Sequence, residues 1–122
     1  MQPKIARETG AIVRVTEDVI GKKVVNLDGE DIGEIKEVVI DSGAARVTYA
    51  VMSFGGFLGL GDKLFAVPWV SLNYDRGNDV FFMKANKELL KNAPGFDKDN
   101  WPDMSDPTRI SEIYKYYGVE HY

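Results

Sequence analysis

The stretch Phe54–Trp69, FGGFLGLGDKLFAVPW, constrains the fold more than any other part of the chain. Gly55-Gly56 and Gly59-x-Gly61 supply backbone freedom where the chain turns sharply or takes a positive φ. Phe57, Leu58 and Leu60 stand among them, where a solvated loop would be polar. An apolar loop has to be covered by its own core, by a second copy of the chain or by another protein. Lys63–Val67 then reads as a strand, and Pro68 ends its hydrogen-bonding ladder or marks a sheet edge. A glycine-shaped, apolar turn between two strands is therefore the frame on which the rest is hung.

The preceding strand, Arg46–Phe54 (RVTYAVMSF), is β-branched and aromatic almost throughout. Val47, Tyr49 and Val51 face one way and Ala50, Met52 and Phe54 the other, so the strand is expected to be covered on both sides. Upstream, Lys23–Leu27 and Ile32–Ile40 flank Asp28-Gly29-Glu30-Asp31, where Asp-Gly suits a type I′ hairpin turn. Apolar alternation fails between Ile35 and Val38, which predicts a bulge near Lys36-Glu37. Asp41-Ser42-Gly43 and Asn73–Asp79 are further turns, and Val80–Lys84 is the last strand. Ala11–Thr16 alternates weakly and offers either an edge strand or a segment that packs against the domain.

Beyond residue 85 the period changes. Asn86 caps a short helix that Pro94-Gly95 closes, and Ser105 or Asp106 caps a second with Pro107 in its first turn and Gly118 at its end. Ile110, Ile113, Tyr114 and Tyr117 share one face of that second helix, leaving Tyr116 to point elsewhere. The fold class that follows is mainly β: a small antiparallel barrel of five to six strands over residues 19–85. A lead-in over residues 1–18 precedes it, and a C-terminal extension of two short α-helices over residues 86–122 follows.

At 122 residues this is one domain, and it has no cysteine, which removes disulfides, thiolate metal sites and cysteine nucleophiles. A net charge of −4 with dispersed basic residues argues against a nucleic-acid partner, because phosphate binding needs a basic face. No run approaches the ~20 apolar residues that span a bilayer, and no apolar core follows the charged N-terminus, so a soluble cytoplasmic protein without a transmembrane segment is expected.

Motifs that carry chemistry fail in their details. Gly56 and Gly61 have the P-loop spacing, but Asp62 precedes Lys63 and a strand follows instead of a helix. Asp97-x-Asp99 opens like an EF-hand loop, yet Trp101 and Pro102 stand where an oxygen ligand and a glycine are required. His121 is the only histidine, and no second one exists to build a zinc site. No nucleophile–base set emerges, so the sequence predicts no enzyme, no metal and no cofactor.

The order of features resembles the PRC-barrel family, named for the cytoplasmic domain of the photosynthetic reaction-centre H subunit. The resemblance rests on Gly21-x-x-Val24, Gly29-Glu30-x-x-Gly33-x-Ile35, Asp41, and above all Gly55-Gly56-Phe57-Leu58-Gly59-Leu60-Gly61. Ala66-Val67-Pro68-Trp69, Leu89-Leu90 and Ala93-Pro94-x-Phe96 complete it. It implies a small PRC-type β-barrel and a role in protein–protein docking, as in the H subunit and in a ribosome maturation factor that docks on a ribosomal protein. The chain lacks the H subunit's transmembrane helix and the maturation factor's extra barrel, and looks like the small stand-alone members.

Two functions are expected from this. The first is a non-enzymatic interaction module that docks on a protein partner or self-associates as a homodimer or higher homo-oligomer. Phe57, Leu58, Leu60 and Tyr116 would be its contacts, with Gly55, Gly56, Gly59, Gly61 and Pro68 shaping the loop. The alternative, implied by likeness to the H subunit, is an accessory of photosynthetic electron transfer that supports quinone-linked proton movement. Asp28, Glu30, Asp31 and Glu34 around the first hairpin would relay the protons, although a perturbed pKa would require burial that turns rarely give.

Overall fold

The computed structural model describes residues 12–54 and 63–120. Its spine is a long hairpin of β2 (Asp31–Asp41) and β3 (Arg46–Ser53), paired in antiparallel register from Glu34↔Ser53 to Asp41↔Arg46. The register slips between Ile35 and Glu37, at the predicted bulge, and again between Val39 and Ile40. Each bulge bends the strand and raises its twist, so the eleven-residue β2 curls instead of running flat.

Both faces of β3 are buried from Thr48 to Met52, as its sequence required. Ala50 and Met52 join Val24, Ile32, Ile35, Phe54, Phe65, Val67, Phe81 and Met83 in the main core. Tyr49 and Val51 face a second cluster with Leu64, Ala66, Phe96, Ile113 and Tyr114. The sheet thus has an inner core of its own and an outer one supplied by the C-terminal extension.

Around the spine lie β1 (Lys23–Val25), β4 (Lys63–Pro68), β5 (Leu72–Asp75), β6 (Val80–Met83) and the two-residue β7 (Phe96–Asp97). The order is β5-β6-β1-β2-β3-β4-β7. The fold is mainly β as expected, but the small antiparallel barrel of five to six strands is corrected: among the described residues the sheet has seven strands and no ladder joins β5 to β7. One pair is parallel, β1 with β6 through Val24↔Phe81 and Val25↔Phe82. The reason for the opening is local. Pro68 ends β4, the 3-10 turn Trp69–Ser71 carries the chain away, and β5 emerges at the far edge. The edge of β4 is taken instead by β7, through Lys63↔Asp97 and Leu64↔Phe96.

One further expectation changes, and one open alternative is resolved. The first hairpin is no type I′ turn, since of Asn26–Glu30 only Gly29 has a positive φ (79°). Buried Asn26 builds the turn instead, its Oδ1 accepting from the backbone N–H groups of Asp28 and Glu30, both at 3.0 Å. Of the two alternatives for the N-terminal segment, residues 12–16 form no edge strand, and Val13 packs against the main core. Asp18 accepts from the backbone N–H of Arg14 at 2.8 Å, and Ile20 N–H reaches Val15 O, which winds Val15–Val19 into one π-helical turn with Val19 buried.

The helices follow the sequence. Asn86 caps α1 (Lys87–Lys91) through Leu89 N–H, and Asp106 caps α2 (Pro107–Tyr116) through Thr108 N–H. Ile113 and Tyr114 are buried on the sheet side of α2, with Ile110 and Tyr117 half-buried beside them. The Tyr114 hydroxyl donates to the buried Thr48 carbonyl at 2.7 Å and fixes the helix on β3.

Candidate functional site

The loop singled out by the sequence, with Gly55, Gly56, Phe57, Leu58, Gly59, Leu60 and Gly61, lies outside the described residues, as does His121. What the structure shows is the stem from which that loop springs. Ser53 and Leu64 form its last registered pair. Just beyond, Phe54 is buried and stacks on Phe65 with centroids 4.2 Å apart and planes at 10°. Phe65 is in turn capped by Gly95, where a Cβ would lie 2.5 Å from the ring. On the other side of the stem β7 pairs with Lys63 and Leu64. Each leg, up to Phe54 on β3 and from Lys63 on β4, is therefore held by backbone pairing and by an aromatic stack.

Gly33 closes the stem from β2. Its φ is +157°, and a Cβ built there would sit 2.1 Å from Ser53 O. Only a residue without a side chain lets β2 approach β3 this closely. The approach opens a shallow groove of about 180 Å³ lined by Lys23, Asp31, Gly33, Glu34 and Ser53.

This groove brings two of the four hairpin carboxylates, Asp31 and Glu34, beside Ser53 at the end of β3. Asp31 Oδ2 lies 3.4 Å from Lys23 Nζ, and Glu34 Oε2 lies 3.2 Å from Lys36 Nζ. These are exposed pairs, worth at most about 1 kcal/mol each. Asp31 Oδ1 also accepts from Gly33 N–H at 3.2 Å. The other two carboxylates point to different partners. Glu30 Oε1 accepts from Asn26 Nδ2 at 2.8 Å, and Asp28 lines a separate hollow with Leu27, Lys84, Asn86 and Leu89.

Tyr116 and Pro68 have internal partners. Tyr116 is half-buried, its hydroxyl donates to Leu89 O, and its ring meets Tyr117 edge-on at 5.1 Å. Burial raises the pKa of its phenol above the ordinary tyrosine value. The residue bolts α2 to α1. Pro68 is buried at the end of β4, opposite Tyr49.

Two features were not read from the sequence. A cleft of about 340 Å³ separates the far end of the β2–β3 hairpin from the start of α2, lined by Val39, Ile40, Thr48, Met104 and Ile110 among others. Its walls come from segments some sixty residues apart; the one local signal is Ile40, 62% exposed after the second bulge. The second feature is a clamp across the β5–β6 turn. Asp79, at φ 55°, accepts from Lys22 Nζ at 2.6 Å and from the Tyr74 hydroxyl at 3.1 Å. The hydrogen bond from Lys22 lowers the Asp79 pKa and, reciprocally, raises that of Lys22.

Among the described residues no helix is long and apolar enough to cross a membrane, and no group of three or more His, Cys, Asp or Glu side chains is placed to hold a metal. Comparison with protein families finds a match to the PRC-barrel domain over residues 16–90, more than half of the chain. Comparison with curated proteins finds no match.

Proposed function

This chain belongs to the PRC-barrel domain family, and we propose that it is a non-enzymatic interaction and assembly module that docks on a protein partner, or on a second copy of itself, through the loop between β3 and β4. The observation that carries the reading is an apolar cluster, Phe57, Leu58 and Leu60, attached to a stem braced on both legs. A contact surface gains affinity when its anchors are ordered before binding, because less conformational freedom is lost in the complex. Leu58, between Phe57 and Gly59 in the sequence, is taken as the central anchor, and Asp31, Glu34 and Lys23 beside Ser53 supply mixed charge at the stem. In this reading the module works in the cytoplasm and needs no cofactor.

The test is Leu58→Asp, checked first by circular dichroism. Affinity capture from the native host and light scattering then compare it with wild type. The folded variant is expected to lose a captured partner, or to fall to a smaller oligomer. Unchanged partners and unchanged oligomeric state would overturn the assignment. A destabilised variant would instead place the loop in the chain's own core.

A second reading, support of quinone-linked proton movement, has one observation in its favour: the Asp31 and Glu34 side chains are 55% and 44% exposed beside the proposed contact. Carboxylates so placed could exchange protons with a docked complex. It predicts that the protein co-purifies with a quinone-reducing membrane complex, and that proton uptake slows in the double variant Glu30→Gln, Glu34→Gln. Normal uptake in that variant would remove the reading.

A further inference from the structure

We draw no further inference here: the strongest candidate, the cleft between the far end of the β2–β3 hairpin and the start of α2 with exposed Ile40 on its rim, is a partly apolar hollow for which nothing in the structure shows what covers it.

Discussion

Gly33→Ala tests whether the loop stem depends on close backbone approach. The added Cβ would lie 2.1 Å from Ser53 O and 3.1 Å from both Phe54 Cα and Ser53 C, all of them backbone atoms. An unstrained contact of this kind needs about 3.5 Å, so β2 and β3 would have to separate by more than an ångström at the Glu34↔Ser53 end of their ladder. Hydrogen bonds there cannot stretch so far and survive. Overpacking of a fixed site costs about 1–3 kcal/mol, and a non-glycine residue at this positive φ adds roughly 1–3 kcal/mol. We expect a loss of about 4 kcal/mol, a large share of the ~5–15 kcal/mol that holds a domain together. Gly29→Ala is the control, since its φ is also positive (+79°) but a Cβ there meets nothing within 4 Å. It should cost only the conformational part, about 1–2 kcal/mol. Urea unfolding followed by the fluorescence of half-buried Trp69 and Trp101 measures both. If Gly33→Ala proves no more costly than Gly29→Ala, the steric argument is wrong and the stem is not held as described.

Other expectations are smaller. Asn86→Ala removes the side chain that accepts from Leu89 N–H at 2.8 Å; the loss should be about 1 kcal/mol in the same unfolding assay, and no change would mean that α1 does not depend on its cap. Tyr117→Phe deletes a buried hydroxyl that has no hydrogen-bond partner among the described residues. Relief of that desolvation should raise stability at neutral pH by about 1 kcal/mol. Burial, and secondarily the neighbouring Tyr116, raises the Tyr117 pKa above its ordinary 10.0. Wild-type stability is therefore complete below pH 10 in this respect and falls as pH climbs from there towards the folded-state value, because the unfolded chain ionises first. The variant should lose less between neutral pH and about pH 11; an identical alkaline slope would refute the burial of that hydroxyl.

The parts of the fold legible in the sequence are those set by neighbours along the chain. The two apolar faces of β3, the bulge at Lys36-Glu37, and the caps at Asn86 and Asp106 all follow from short-range pattern and side-chain chemistry. What was illegible depends on distant or minor partners. The parallel pairing of Val24 with Phe81 joins segments nearly sixty residues apart, and a two-residue strand such as Phe96-Asp97 has no periodicity to detect. The type I′ expectation failed because Asn26 took over the turn from outside the Asp-Gly pair. Of the candidate site, the sequence pointed to the loop and to the acidic hairpin separately. That Asp31 and Glu34 meet the loop stem follows from the β2–β3 register, which the bulges shift. Tyr116 looked outward on a helical wheel, but α1 packs where that wheel leaves it free.

The stem has two sources of rigidity, and they lie on opposite sides of the family boundary. Gly33, Ser53, Phe54 and Phe65 fall within residues 16–90, where the chain matches the PRC-barrel domain. Gly95 over the Phe65 ring and β7 against Lys63 and Leu64 fall beyond it. Phe96 is buried against Trp101, centroids 4.9 Å apart, and shares the outer cluster with Tyr49, Ile113 and Tyr114. Through that cluster, α2 and its Tyr114–Thr48 hydrogen bond are linked mechanically to the leg of the loop on β4. A barrel-type sheet alone would leave β4 with an unpaired edge beside its apolar loop, a template for unwanted strand pairing. The extension covers the start of that edge, pairing Lys63 and Leu64 with Asp97 and Phe96. In the proposed module, specificity would then reside in the loop, while the segment after residue 90 would guard the start of β4 against indiscriminate strand pairing.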